Sequence, residues 1–505
     1  MNRSHRLLSK KKQVAGMAVG AIAMLAMAVP ALGQETSGKD EAFQLTTVYG
    51  LNNTGVGNLA NHSPTFVSFD ISWVDNVQHK YYLADRSNKS IDILDLSTLP
   101  PTLTQVPNLK FQGSTGNNDN SGPDGVLTAN NSTELWVGDI GGTCFPNPGP
   151  PSPPGCGPGQ VWVLNATDAS VKTLPGGKAN PISVGGTTRA DEMCYDPKDN
   201  LIMLASPAED PPYVTFISTA GADAYTVVVK LPFDGTTGNT PKATNGLEQC
   251  GWSPQTGLFY QNVPEISGDG HDTAPGGIAV IDPKTALAKK PKVAKVFTIP
   301  LEDCAGPQGM AIGPDDQILE GCNAAGPNGH RNTVVVSAKN GKILTVLQDL
   351  GGADEVWFNP GDLHYIIPSC NTACRTPPTG FVLTFDEVLG LVDSSTLQVD
   401  QTVFVAQQNS VTTVAPGNPR TIHSVAADPA NKQIILPIPA VGGNAPQFSP
   451  SLCDKTGLGI TVVPGPGVNN PSTAVGCIVL LSAPLNNDDP SARVAQERPS
   501  NSQQD

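Results

Sequence analysis

One short unit recurs seven times along the chain: a polar residue, a short apolar strand, a turn, and a second strand that ends in small residues. The first copy reads FDISWVDNVQHKYYLAD and the third reads ADEMCYDPKDNLIMLAS. Turns such as DPKDN and SPQTG place Pro, Asp, Asn and Gly where a β-turn needs them. The seven copies span residues 69–85, 123–139, 190–206, 247–263, 307–323, 353–369 and 422–438.

Most copies are followed by a third, β-branched strand, such as SIDILDLST or TVVVSAKNG, and fourth strands fit between some copies, such as AYTVVVKL. Of 505 residues, 52 are Gly and 47 are Pro, whereas charged residues make up 15%, which excludes a coiled coil or a helix bundle. Seven units of three to four antiparallel strands predict an all-β fold, a seven-bladed β-propeller. A six-bladed ring is the alternative.

The two ends of the repeat region favour a closed ring in a single domain. Residues 42–51, AFQLTTVYGL, are strand-like and are expected to complete the sheet of the last blade. We predict a propeller domain at 34–485 and a disordered polar tail at 486–505.

Residues 1–33 have the features of a secretory signal peptide: a basic start, an apolar run from Val14 to Val29, and small residues before Gln34. We therefore expect a periplasmic or secreted protein with no stable membrane span once the leader is removed. Loss of the five basic leader residues lowers the formal charge from −15 to −20. This acidity argues against nucleic acid as a partner and favours cations or neutral ligands.

All ten cysteines follow the leader, and an even number in an exported chain predicts disulfides. Four pairs of cysteines are close in sequence and are expected to form bridges. The remaining pair, Cys194 and Cys250, occupies nearly equivalent places in two successive repeats. CNTAC is also compatible with a metal site, but it lacks the second pair that a thiolate zinc site needs. The expected pairs are Cys144–Cys156, Cys304–Cys322, Cys370–Cys374, Cys453–Cys477 and Cys194–Cys250.

Alignment of the repeats on their turns places one polar position in register at the start of each innermost strand. We call these seven residues the column, and we expect them to converge at the mouth of the central channel. Crowded carboxylates need a cation or a shared proton, so the column predicts a divalent cation, calcium, or raised pKa values. The column comprises Asp70, Asp124, Asp191, Glu248, Gln308, Asp354 and His423.

Two further observations bear on chemistry at the column. Asp191-Glu192 and Asp354-Glu355 are tandem acids, and strand alternation predicts that one of each pair faces the channel. His423 is the histidine of the column and, with Glu355, is a candidate general acid or base. The alternative is that these polar groups satisfy backbone N–H groups in a water-filled channel.

The copies PDGVLTANNSTELWVGD and PQGMAIGPDDQILEGCN resemble the blades of NHL and SMP-30/gluconolactonase-like propellers, and GIAVIDPKT resembles YVTN/YncE-type repeats. The resemblance to the SMP-30/gluconolactonase group implies a metal-dependent lactonase or esterase-like hydrolase. Asp70, Asp124, Asp191, Glu248 and Asp354 would then hold the ion, and His423 or Glu355 would move protons. The resemblance to YncE and NHL propellers implies a non-catalytic scaffold that holds a small molecule or protein on its top face. The column departs from the hydrolase group, which uses six blades and an Asn ligand.

Overall fold

The computed structural model describes residues 42–51, 66, 68–108, 110–142, 156–348, 350–370, 385–408, 422–439, 448–454, 460–464 and 476–483. The expected leader at 1–33 and the expected tail at 486–505 lie outside these residues. In the described part, strands form seven separate sheets, antiparallel except for one edge pair, and we number these sheets as blades 1 to 7 in chain order.

Blades 1 to 3 each contain four strands, and in each of these three blades the chain moves outwards from the innermost strand. Their strands are β2 (Ser72–Asp75), β3 (Lys80–Asp85), β4 (Ser90–Asp95) and β5 (Thr102–Pro107); β6 (Val126–Ala129), β7 (Glu134–Gly142), β8 (Cys156–Asn165) and β9 (Ile182–Gly185); and β10 (Met193–Asp196), β11 (Leu201–Ser206), β12 (Tyr213–Ser218) and β13 (Thr226–Pro232).

Blades 4 and 5 repeat this four-stranded pattern. Their strands are β14 (Cys250–Ser253), β15 (Leu258–Val263), β16 (Gly277–Ile281) and β17 (Val293–Thr298), and β18 (Ala305–Ile312), β19 (Gln317–Ala324), β20 (Thr333–Ser337) and β21 (Ile343–Leu347). One short α-helix, Pro283–Leu287, follows β16, with the Asp282 carboxylate accepting a hydrogen bond from its first turn. Short 3-10 turns occupy Asn118–Asn120, Pro175–Gly177, Thr237–Asn239 and Leu452–Asp454.

Blades 6 and 7 each contain five strands, because a short extra strand pairs at the outer edge. Blade 6 has β22 (Trp357–Asn359), β23 (His364–Cys370), β24 (Phe385–Asp393), β25 (Gln398–Gln408) and β28 (Phe448–Ser451). Blade 7 has β26 (Ala426–Asp428), β27 (Gln433–Ile438), β30 (Gly476–Ser482), β1 (Gln44–Leu51) and β29 (Thr461–Pro464).

The N-terminal strand closes the ring, as the sequence predicts. β1 pairs antiparallel with β30, with Tyr49 opposite Ile478, so blade 7 joins the two ends of the repeat region. The extra strand β29 pairs parallel to β1 on its outer side and was not predicted. Each innermost strand contacts the next around the ring, and β26 contacts β2. The seven-bladed prediction is confirmed, and the six-bladed alternative is wrong.

The core lies between neighbouring blades, because each middle strand is covered on both faces. Strands β11 and β16 are buried at every residue, which explains their continuous β-branched and aliphatic sequences. One interface, for example, packs Phe216 of blade 3 against Phe259 of blade 4, with ring centroids 6.2 Å apart. Such two-sided burial leaves the innermost strands to surround the central channel.

Three disulfides are present among the described residues: Cys194–Cys250, Cys304–Cys322 and Cys453–Cys477. All three match the predicted pairing. The first joins the innermost strands of blades 3 and 4, where its sulfur atoms are buried. The pairs Cys144–Cys156 and Cys370–Cys374 involve residues outside the described side chains and stay predictions. Disulfides are typical of an oxidising compartment.

Of the helices in the described ranges, none combines the length and the apolar character that a membrane crossing requires.

Candidate functional site

The column residues are structurally equivalent, as the alignment of the repeats predicts. In four blades the backbone N–H of the column residue donates to the carbonyl 14 residues later in the second strand, at 2.9 to 3.3 Å. These pairs are Asp70–Ala84, Asp124–Gly138, Asp191–Ala205 and Glu248–Asn262. The side chains therefore start from matching backbone positions at one end of the channel, which we call the mouth.

The column divides into a buried part and a half-buried part. Asp70, Asp124 and Asp191 are at most 9% exposed, and one carboxylate oxygen from each lies within 4.8 Å of the other two. We call these three residues the mouth triad. The remaining members are half-buried and lie towards solvent: Glu248, Gln308, Asp354 and His423.

Two arginines that the repeat alignment missed pair with the mouth triad. Arg86 follows β3, and its guanidinium donates to Asp70 Oδ2 at 2.7 Å and, through Nε, to Asp124 Oδ1 at 2.9 Å. Its remaining nitrogen donates to Asn118 Oδ1 at 2.7 Å, in the loop that joins blades 1 and 2. Arg86 is 4% exposed, so this is a buried, charge-assisted network.

Arg189 enters the mouth triad from the segment before β10. Its Nη2 lies 2.7 Å from Asp191 Oδ2 and its Nη1 lies 3.3 Å from Asp70 Oδ2. The backbone N–H of Arg189 donates to the Asp119 carbonyl at 2.9 Å, which fixes the approach of the chain. Arg189 is 7% exposed. Two guanidinium groups thus offset part of the charge of three carboxylates.

With all three carboxyl groups ionised, the mouth triad would carry one negative charge more than its two arginines offset. Two of its buried oxygens, Asp124 Oδ2 and Asp191 Oδ1, have no hydrogen-bond partner. Buried carboxylate oxygens normally find a donor or a cation. The mouth triad could therefore hold a metal ion, with the two arginines limiting which oxygens are available to it.

The pKa values within the mouth triad diverge. Burial raises the pKa of Asp70, but Arg86, the hydrogen bond to His423 and Arg189 outweigh it and hold this pKa below its usual range. Burial raises the pKa of Asp191 to about 7 against the pull of Arg189, and it raises that of Asp124 well above the usual value. Asp70 is therefore the ionised anchor, whereas the other two carboxyl groups carry the compensating proton when no cation is bound.

Three of the half-buried column residues make specific side-chain contacts. Gln308 Nε2 donates to Glu248 Oε1 at 3.2 Å. His423 stacks on Phe69 with ring centroids 4.4 Å apart, and its Nε2 lies 3.7 Å from Asp70 Oδ1. Glu248 and Asp354, expected as metal ligands, are outside the close oxygen group that the described residues form. Burial raises the pKa of both carboxyl groups.

The tandem acids separate into two levels. Asp191 belongs to the mouth triad, whereas Glu192 and Glu355 are buried and line a cavity inside the channel. Burial raises the pKa of Glu192 to about 8 and that of Glu355 well above its usual value, so these two neighbouring carboxyl groups share a proton.

Asp191 and Glu192 precede β10 but still pair with β11, since the Asp191 N–H donates to the Ala205 carbonyl and the Ala205 N–H donates to the Glu192 carbonyl. Two residues thus stand opposite one, so simple alternation of faces does not hold at this pair. That one acid of each tandem pair faces the channel stays a prediction.

A further carboxyl group lies beneath the segment that carries His423. Glu387 of β24 is 2% exposed, and its Oε2 accepts from the Ile422 backbone N–H at 3.3 Å. Burial raises the pKa of Glu387 to about 8.

The pKa of Glu265 is shifted in the opposite direction. Backbone N–H groups of Gly270 and Thr273 donate to its carboxylate at 2.5 and 2.8 Å. These bonds and that of Thr244 outweigh burial and lower its pKa to about 2.

These two carboxyl groups predict opposite pH dependences of stability. The folded-state pKa of Glu387 exceeds its unfolded value, so its contribution is complete below about pH 4 and is lost as the pH rises through about 8. Between pH 6 and 8 this loss amounts to about 2 kcal/mol, which Glu387→Gln should remove. Glu265→Gln should instead flatten the loss below about pH 4. Urea unfolding at several pH values measures both, and unchanged pH profiles would contradict the assignment.

Comparison of the sequence with models of known protein families and with curated protein sequences gave no match. Solved structures do match in shape. The WD40 β-propeller domain of Doa1 is 11% identical with a TM-score of 0.46, over 87% of this chain and 97% of that one. A chain of the mitotic checkpoint complex is 10% identical with a TM-score of 0.43, over 84% and 95%. A chain of Kuenenia stuttgartiensis hydrazine synthase is 13% identical with a TM-score of 0.41, over 63% and 74%. The resemblance to SMP-30, NHL and YncE proteins stays a prediction.

Proposed function

We propose that this chain is an exported binding propeller whose mouth triad holds one divalent cation, calcium. The observation that carries the proposal is the pair of buried oxygens without partners, Asp124 Oδ2 and Asp191 Oδ1, in a group that has one carboxylate more than its guanidiniums can offset. Carboxylate oxygens are the preferred ligands of calcium. The half-buried Glu248 and Asp354 lie within electrostatic reach of Asp191 and Asp70, so a bound cation would lower their raised pKa values.

The proposal favours binding over turnover because the residues expected to move protons are engaged elsewhere. His423 is stacked on Phe69 and faces Asp70, and Glu355 shares a proton with Glu192. Asp70, expected as a metal ligand, already accepts from both arginines. The ion would then serve to order the mouth and to help bind a small molecule or a protein on this face of the propeller.

Elemental analysis and thermal unfolding of the purified mature protein test this function. About one tightly bound divalent ion per chain, and a melting temperature that falls in EDTA and recovers in CaCl₂, are expected. Asp124→Asn and Asp191→Asn should each abolish the calcium response, whereas Asp168→Asn, on the exposed surface, should leave it intact. A metal-free protein with no calcium response would refute cation binding. Calcium-dependent hydrolysis of a lactone or ester that is lost in Asp124→Asn would refute the binding-only assignment.

A further inference from the structure

Beyond the mouth triad, the channel contains a partly open cavity of about 370 Å³ lined by residues from the innermost region of all seven blades. Its position runs from the level of Glu192 and Glu355 towards the end where the innermost strands turn into the second strands. The volume lies at the lower end of the range for small-molecule sites, so it fits a compact ligand.

Aromatic side chains form much of the cavity wall. Trp73, Trp252 and Trp357 all line it, and each is half-buried. The rings of Trp73 and Trp357 meet edge to face with centroids 5.2 Å apart, and Trp73 Nε1 donates to Thr128 Oγ1 at 3.1 Å. These contacts hold the indoles in place, since each tryptophan also packs against the cores between blades. Such fixed indoles offer π surfaces to a cation or an apolar group.

The inner end of the cavity is acidic. Glu355 is 5% exposed, and its Oε2 has no hydrogen-bond partner. Gln249 is engaged elsewhere: its Oε1 accepts from the backbone N–H groups of Met310 and Val356 at 2.5 and 3.3 Å, and its Nε2 donates to the Val356 carbonyl at 3.4 Å. Among the described residues that line the cavity, none is Lys, Arg or His. A cation bound there would meet carboxylates at one end and indole faces along the wall.

We infer that this cavity binds a small organic cation, a substituted ammonium with an apolar body. Its charged group lies against the carboxyl groups of Glu192 and Glu355, and its alkyl groups contact Trp73, Trp252 and Trp357. An aromatic wall alone would also accept a neutral ligand, so the carboxyl pair and the lack of a basic lining residue decide the class of ligand. This site uses residues other than the mouth triad and does not depend on the calcium proposal.

Tryptophan fluorescence and calorimetry with two probes test the inference directly. Choline and 3,3-dimethyl-1-butanol have nearly the same shape and differ in charge. Choline should bind saturably and at least about tenfold more tightly than the neutral probe, as expected for a desolvated ammonium on aromatic faces and carboxylates. Equal affinities, or no saturable signal with choline, would overturn the inference.

Variants separate the two parts of the site. Trp252→Leu should weaken choline binding about tenfold, and Glu355→Gln should weaken choline but not 3,3-dimethyl-1-butanol. Glu302→Gln, on the exposed surface, is the matched control and should bind like the wild type. The melting temperature of each variant confirms folding. Calcium binding should be unchanged in Trp252→Leu, and choline binding should be unchanged in saturating CaCl₂. Displacement of choline by calcium would place it at the mouth and overturn the assignment to the cavity.

Discussion

Replacement of Arg189 by Met should lower the free energy of unfolding by about 3–5 kcal/mol, the usual effect of removing one partner from a buried ion pair. Arg189 donates to Asp191 and Asp70 inside the channel, and both carboxylates are almost completely buried. Without this guanidinium, three carboxylates face Arg86 alone. Urea or guanidinium unfolding measures the loss.

Arg189→Met leaves the carboxyl groups of the mouth triad with less positive charge nearby, and this offers two tests of the cause of the lost stability. Calcium should restore part of the lost stability, because the excess negative charge of the mouth triad has increased. Arg189→Met combined with Asp191→Asn should also regain part of it. Lys339→Met, which removes an exposed ion pair with Asp316, should change stability little. A loss in Arg189→Met no larger than in Lys339→Met would show that the buried network does not stabilise the mouth.

Replacement of both Cys194 and Cys250 by Ser should lower the free energy of unfolding by about 4 kcal/mol, according to the loop-entropy model. The bridge closes a segment of 56 residues and joins the innermost strands of blades 3 and 4. Its loss therefore affects both the unfolded chain and the wall of the channel, because both cysteines line the cavity.

The disulfide Cys304–Cys322 provides a matched comparison, since it spans only 18 residues. The equivalent double serine variant should lose about 3 kcal/mol, about 1 kcal/mol less. Thermal and urea unfolding of both variants in the same buffer tests the difference. A larger loss for the shorter loop would mean that local packing, rather than chain entropy, dominates.

The architecture was predictable because its determinants are local. Turn residues such as those in DPKDN and SPQTG recur with apolar strands on either side, and β-branched third strands follow them. The N-terminal segment 42–51 was also recognisable. A strand that precedes the first repeat of a closed ring is expected to pair in the sheet of the last blade, as β1 does with β30. The extra strands β28 and β29 both lie between β27 and β30 of the last repeat, where a long insertion gives no periodic signal.

The mouth triad was predictable from the register of the column, but its charge balance was not. Arg86 and Arg189 lie just outside the compared positions, one after a second strand and one before a first strand. Arg86 directly follows the last residue of the first copy, in the sequence ADR, and Arg189 directly precedes the third copy, in the sequence RAD. An arginine next to an Ala–Asp pair at the edge of a repeat is the signal that could have identified them. Only the three-dimensional contact shows that one column acid, Asp70, receives both guanidiniums.

The aromatic cavity was not foreseen, although its tryptophans stand in nearly equivalent places of the repeat. Trp73 and Trp357 lie three residues after the column residue of their own blade, and Trp252 lies four residues after its own. Each contacts a core between blades, as ordinary packing would predict. Their common exposure to the channel depends on the curvature of the ring, which local sequence patterns do not encode.

The central claim, that the mouth triad binds a divalent cation, is tested most directly by anomalous diffraction from a crystal soaked in manganese(II), which also prefers carboxylate oxygens. The account predicts one strong peak within about 2.6 Å of Asp124 Oδ2 and Asp191 Oδ1. The absence of a peak at these two oxygens, with both arginines in place, would contradict it.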